Sequence, residues 1–296
     1  MHKDIEPLVS VVIPTYNHAQ YLGRALQSVL DQTYSNWEAI VIDNYSQDNT
    51  DEVVQKFKNP RITLLKITNN GVIAASRNKG IQAAKGEWVA FLDSDDWWWP
   101  EKLKACFEYP VSQADLIYHE LKIVREFAQF SQRKKIKSRR LKKPILIDLL
   151  VNGNLIPNSS VVVRKKLLIR IGGIDESAEM IAAEDYNTWL RISQITNKFY
   201  YINKTLGFYM EHSQSISKKD TTKSERYACA EFLHFLNKKQ RIQNETNLKY
   251  NEGRFRIISK NYEEARRLFV FCLRHGSFYL KTKSLLMFMT TFIHYR

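Results

Sequence analysis

Between residues 8 and 93, short apolar runs alternate four times with segments of helical pattern, and few folds accommodate that order. The runs are LVSVVI (8–13), WEAIVID (37–43), RITLLKI (61–67) and EWVAFLD (87–93). The first of them is a short apolar, β-branched run ended by Pro14, the pattern of a strand buried on both faces. Between them, Tyr21, Leu22, Ala25, Leu26, Val29 and Leu30 recur at helical spacing in 19–31. Residues 50–58 and 71–86 follow the same pattern, and the spacing predicts that the second of these closes on Gly86. The order and the short connections predict an α/β fold, a mostly parallel, doubly wound central sheet flanked by helices. Ligands of such sheets bind beyond the carboxyl ends of the strands. Polar clusters stand at three of those ends: PTYN (14–17), DNYSQD (43–48) and DSDD (93–96).

Beyond Asp96 the alternation loosens. A helix is expected at 101–109, a strand at 115–124, a helix at 145–152, and a strand at 159–165 entering a helix at 166–171. EDYNTWLRIS (184–193) opens a helix with two acids, and 199–203 and 206–210 read as a final strand pair. After about 217 the pattern is helical, joined by polar turns.

The net charge of +14 is unevenly distributed. Residues 133–143 carry eight basic and no acidic side chains, inside a segment, 125–143, read as a mobile loop or extended hairpin. Residues 217–296 carry 17 basic and seven acidic, leaving the rest of the chain slightly acidic. Such regions attract anionic lipid surfaces or phosphorylated ligands. No zinc-finger or RNP-type motif accompanies the charge, so nucleic acid is not expected as a partner. Cys106, Cys229 and Cys272 are scattered with no Cys-x-x-Cys, which argues against a cysteine zinc site or disulfide framework and fits a reducing compartment. MHKDIEPLVS lacks an apolar signal core, and the strongly apolar stretch 284–293 is about half of a bilayer span. A soluble or peripherally bound protein is expected.

The acidic strand end is the sharpest chemical feature. Asp93, Ser94, Asp95 and Asp96 gather carboxylates that repel one another unless a hard cation such as Mg²⁺ or Mn²⁺ neutralises them; capping of the next helix is the competing reading. Asp43 and Asn44 could bind a base edge or ribose, or make a turn. Arg77 could pair with a diphosphate or with the strand-end carboxylates, or stand as an exposed helix charge. Glu184 and Asp185 suit a helix start through the dipole, or a general base aimed at an acceptor hydroxyl. Of Trp97, Trp98 and Trp99, at least one is expected to face the cleft. His212 is a candidate third metal ligand or phosphate contact, or an ordinary surface histidine.

The order VSVVIPTYN, IVIDNYSQDNT, GVIAASRNKGIQAAKGEWVAFLDSDD and AEDYNTWLRI resembles family 2 glycosyltransferases of the GT-A fold, over about 9 to 215. The resemblance implies a catalytic domain at 1–216, with a nucleotide-binding half (1–96) and an acceptor half (97–216). A basic helical region (217–296) follows. It implies that Pro14, Thr15, Tyr16 and Asn17 line the nucleotide pocket, that Asp43 and Asn44 face the base, and that Arg77 lies near base or phosphate. Asp93 and Asp95 match the Asp-x-Asp motif, with Ser94 between them and Asp95 the stronger metal ligand. His212 would assist at the metal. Asp185 matches the catalytic base, with Glu184 beside it. By their place after the strand end, Trp97, Trp98 and Asp96 are expected to border the sugar cleft. Asn44 departs from the paired acids of many UDP-using members.

The expected reaction is inverting transfer from a nucleotide-diphospho-sugar, UDP-linked by resemblance, to a glycan or lipid-linked acceptor in bacterial surface polysaccharide synthesis. The expected place is the cytoplasm or the inner face of the plasma membrane. A nucleotidyltransferase is the runner-up, although PTYNHAQY is not a phosphate-cradling glycine loop. A non-catalytic binding protein working through its basic tail is a third reading, and the same tail could form a homodimer.

Overall fold

The computed structural model describes residues 6–108, 113–125, 135–136, 138–213, 215 and 220–293. The four apolar runs become β1 (Val9–Thr15), β2 (Trp37–Asp43), β3 (Ile62–Lys66) and β4 (Trp88–Phe91). Helices α1 (Ala19–Leu30), α2 (Thr50–Lys56) and α3 (Ile73–Ala83) connect them. All pairings among these strands are parallel, in the order β3-β2-β1-β4.

After β4 the direction changes. The sheet continues through β8 (Val162–Arg164), β6 (Leu116–Arg125), β9 (Phe199–Glu211) and β5 (Trp97–Trp98). β8 is antiparallel to both β4 and β6, whereas β6 and β9 run parallel. The remaining elements of this half are α4 (Lys102–Phe107), β7 (Lys135–Ile136), α5 (Ile145–Asn152), α6 (Lys165–Arg170) and α7 (Glu184–Ile195).

Alternation along the strands divides the core between two faces. Val9, Val11, Ile13, Ala39, Val41, Trp88 and Ala90 pack with Leu22, Ala25, Leu26 and Val29 of α1 and Leu103 and Cys106 of α4. Val12, Ile40, Ile42, Val89 and Phe91 pack on the other side with Ala74 and Ile81 of α3 and Trp189 and Leu190 of α7. Helix α3 lies close to the sheet because residue 80 is glycine: a Cβ there would stand 2.5 Å from Val12 Cγ1 and 2.8 Å from Ile42 Cδ1.

Three sequence expectations change. Gly86 does not close α3, whose C-cap is Ala84; it lets the chain pass against β1, where a Cβ would meet the Leu8 carbonyl oxygen at 2.5 Å. The expected final strand pair is one continuous strand, β9, with a register irregularity opposite Glu120 that absorbs the polar interruption at Asn203 and Lys204. In the basic segment, β7 pairs with Leu121 and Lys122, so a hairpin base is present. Residues 126–134 and 137 lie outside the described residues. From Ser138 the chain is held: Ser138 Oγ donates to the Leu155 carbonyl at 2.9 Å, and Arg139 forms a two-pronged ion pair with Asp148.

The C-terminal helices are α8 (Thr222–Ala230), α9 (Lys238–Ile258), α10 (Tyr262–His275) and α11 (Phe278–Ile293). Ala228, Cys229 and Phe232 belong to the same core as Tyr186 and Trp189. Asn244 of α9 donates to the Leu150 carbonyl at the end of α5 at 2.7 Å.

Candidate active site

The carboxyl ends of β1, β2 and β4 open onto a cavity of about 300 Å³. Pro14, Thr15 and Tyr16 enter it from β1, Asn44 from β2, and Asp93, Ser94 and Asp95 from β4. The Thr15 hydroxyl is buried in that wall with no hydrogen-bond partner among the described residues. Asn17 does not line the cavity; in the left-handed conformation (φ 50°) it ties two strand ends together. Its side-chain oxygen accepts from Gln47 N and its N–H donates to Ser46 Oγ, both at 2.8 Å.

Asp43 and Asn44 separate. Asn44 lines the cavity and accepts from the Asn69 N–H at 2.9 Å. Asp43 is fully buried, where it accepts from the Ser46 N–H and pairs with Lys66 at 2.7 Å. The expectation that both face a base is corrected: Asp43 holds the turn.

Asp95 and His212 meet at 3.0 Å, although 117 positions separate them. β9 delivers His212, whose ring stacks on Tyr21 with centroids 5.1 Å apart. Burial and the neighbouring Asp93 carboxylate raise the Asp95 pKa, opposed by the His212 contact. His18, which the sequence reading missed, also lines the cavity; its Nδ1 lies 3.0 Å from Ser94 Oγ, and burial lowers its pKa. It was obscured because a histidine before a helix resembles an ordinary entry residue.

Among the described residues no group of three or more His, Cys, Asp or Glu side chains surrounds one point. A closed protein cage for a metal is therefore not formed. Mg²⁺ and Mn²⁺ need none, since one or two carboxylates with substrate phosphates complete their shells. Asp95 with His212 fits that demand. Asp93 is engaged differently: one oxygen accepts from Arg77 at 2.8 Å and from Asn158 at 3.3 Å.

Arg77 is turned away from the cavity. Its guanidinium is 4% exposed and bridges Asp93 at 2.8 Å and Glu184 at 2.5 Å. Of the three readings open from sequence, the structure takes the carboxylate pairing, and burial rules out an exposed helix charge. Asp185 does not line the cavity; it stands beside Glu184 at the start of α7 and connects to the cavity through Glu184, Arg77 and Asp93. Burial first, then the Glu184 charge, push its pKa up to about 7, against the opposing pull of Arg77. Asn154 donates to Asp185 at 3.1 Å. Asn154 and Asn158 flank one short loop after α5, so a single segment touches both carboxylates. Neither was legible, because asparagine is a default turn residue.

The expected sugar-cleft residues fall elsewhere. Asp96 is 1% exposed, accepts the Met210 N–H at 2.9 Å, and is held well above the usual carboxylate pKa by burial. Trp98 is buried, its indole donating to the Ser159 carbonyl at 2.7 Å. Trp97 is sandwiched between the Arg24 guanidinium (3.5 Å to the ring centre) and Phe208 (4.7 Å between centroids). None of the three lines the cavity; β5 uses its tryptophans to close the sheet edge against β9.

Comparison with known proteins agrees with this architecture. The family model Glycosyl transferase family 2 matches residues 10–171. The chain belongs to glycosyltransferase family 2 and is a transferase enzyme of the GT-A fold with added C-terminal helices. It is 39% identical over 111 residues to the putative teichuronic acid biosynthesis glycosyltransferase TuaG of Bacillus subtilis, covering 37% of this chain and 44%, less than half, of that protein. It is 32% identical over 194 residues to the UDP-Glc:alpha-D-GlcNAc-diphosphoundecaprenol beta-1,3-glucosyltransferase WfgD of Escherichia coli, covering 64% of this chain and 71% of that protein. The mannosyltransferase PcManGT from Pyrobaculum calidifontis, solved in complex with GDP-Man and Mn²⁺, has a TM-score of 0.63 at 17% identity, covering 99% of this chain and 82% of that one. At such identity the likeness speaks for the fold alone.

Proposed function

We propose that the protein transfers a sugar from a nucleoside-diphosphate sugar, UDP-linked by preference, to a hydroxyl of a lipid-linked or polysaccharide acceptor, inverting the anomeric carbon. The observation that carries this reading is the bridge by Arg77 between Asp93 of the strand-end cavity and Glu184 beside the proton-accepting candidate Asp185. Such a bridge holds a donor-binding edge and a base in fixed relation. The sugar nucleotide in WfgD's name and its lipid diphosphate acceptor supply the substrate classes.

In this reading the nucleotide lies across Pro14, Thr15, Tyr16 and Asn44. Asp95 and His212 would hold a divalent cation, whose bound charge would stabilise the departing diphosphate. Asp185, ionised, accepts the proton of the acceptor hydroxyl as that oxygen attacks the anomeric carbon opposite the leaving group. One displacement gives inversion, through an oxocarbenium-like state of the kind known from inverting glycoside hydrolysis. Asn154 orients the carboxylate. A catalytic unit at 1–216 whose core is completed by the following helices fits this division of labour. A lipid-linked acceptor would place the reaction at the inner face of the plasma membrane; among the described residues no helix is long and apolar enough to cross a membrane.

Family membership favours this over the nucleotidyltransferase and the non-catalytic readings. The test is a panel of UDP- and GDP-sugars, assayed with a diphospholipid acceptor and with and without Mn²⁺. Asp185→Asn and Asp95→Ala are each expected to lower turnover at least 10²-fold, the scale of acid–base and electrostatic contributions, with thermal midpoints no lower than wild type. Near-wild-type turnover in Asp185→Asn would defeat the assignment of the base.

A further inference from the structure

We propose that the C-terminal helices form a docking surface for an anionic lipid bilayer, with α11 lying in the plane of the headgroups. Helix α11 buries Leu280, Ser284 and Thr291 against its neighbours. It turns Phe278, Leu285, Leu286, Met289 and Phe292 outward, at 88, 49, 61, 57 and 53% exposure. At 3.6 residues per turn these five side chains fall within about 120° of the circumference. Lys281 and Lys283 border that stripe on its two sides, and α11 contains no acidic residue. A water-facing apolar stripe of this kind is unusual for a soluble surface unless something covers it.

A second observation gives the sign of the partner. One hollow, lined by Lys238, Lys239, His275 and Ser277, ends immediately before Phe278. It shares Lys239 and Gln243 with a second hollow lined by Lys142 and Lys143. The two basic regions of the sequence thus meet in space, beside the start of the apolar stripe.

A bilayer with anionic headgroups satisfies both features at once. The apolar stripe enters the acyl boundary, lysine stems lie along it, and the ammonium groups stay at the phosphate level. A second copy of the chain suits the surface less well, since a twofold contact would set the lysine borders against each other. A polyanion without an apolar layer would leave the stripe in water.

The experiment uses the full chain without donor, sedimented with vesicles of phosphatidylglycerol and phosphatidylcholine, or of phosphatidylcholine alone. Binding at least tenfold tighter to the anionic vesicles at low salt, and weakened by added salt, is expected. Leu286→Glu/Met289→Glu should reduce it tenfold or more, and Lys238→Glu/Lys239→Glu should remove the preference for anionic lipid. Both pairs are on the surface, so an unchanged thermal midpoint certifies folding. Absence of sedimentation at low salt, indifference to lipid charge, or undiminished binding in Leu286→Glu/Met289→Glu would overturn the proposal. A concentration-dependent dimer lost in that variant, without vesicle binding, would assign the face to a second copy instead. Sugar transfer to a short-chain acceptor, assayed on the same samples, reads the catalytic proposal separately.

Discussion

Asp185 owes its elevated pKa to burial and to Glu184 at its side. As the proposed base, Asp185 must be ionised to work, so transfer should fall on the acid side of about pH 7 and level off above it. A pH–rate profile at saturating donor and metal checks this; an acid limb near pH 4 would mean that Asp185 is an ordinary carboxylate. The stability consequence has the opposite sense. The folded chain holds this proton more tightly than an unfolded aspartate, whose pKa is about 3.9. The site's stabilising contribution is therefore full below about pH 4 and is lost as pH rises toward 7. Asp185→Asn should accordingly be at least as heat-stable as wild type at pH 7.5, measured by thermal melts. Arg77 behaves differently. Removing it strands Asp93 and the buried Glu184 without their counterion. Arg77→Ala should cost about 3–5 kcal/mol, the scale for breaking a buried ion pair, and chemical denaturation would measure it.

At the scale of elements, α3 is seated by the missing side chain at residue 80. A methyl group there collides with Val12 and Ile42. Gly80→Ala should therefore destabilise by about 1–3 kcal/mol, as overpacking does, outweighing alanine's better helix propensity; a higher denaturation midpoint would contradict the packing argument. Strands β1, β2 and β4 were legible because burial on both faces writes itself as near-continuous apolar sequence, whereas the edge strand β3 is only half-buried. β9 was not, because Asn203 and Lys204 interrupt its apolar pattern while the backbone pairing with β6 continues through a register shift. The position of strand-end residues was legible where the side chain projects into the cavity, as at Asn44 and Asp95. It misled where a polar or aromatic residue closes the structure, as at Asp43, Asp96, Trp97 and Trp98. Their type is the same in both roles, and only the direction of the side chain distinguishes them.

Over the whole molecule, the C-terminal helices are not an independent addition to the sheet. Ala228, Cys229, Phe232 and Leu248 complete the core around Trp189, and Asn187 of α7 donates to the Ala228 carbonyl at 3.2 Å. A chain ending at residue 216 should expose that core and lose its cooperative thermal transition; an unaltered melt would show the helices to be dispensable. The Arg77 bridge acts across the same span. One guanidinium serves two acids, one rooted in the sheet and one in α7, so whatever draws Asp93 aside also changes the electrostatic company of Asp185. In the proposed reaction, a donor sugar nucleotide that draws Asp93 aside at the strand ends would alter the charge beside the base before an alcohol is present.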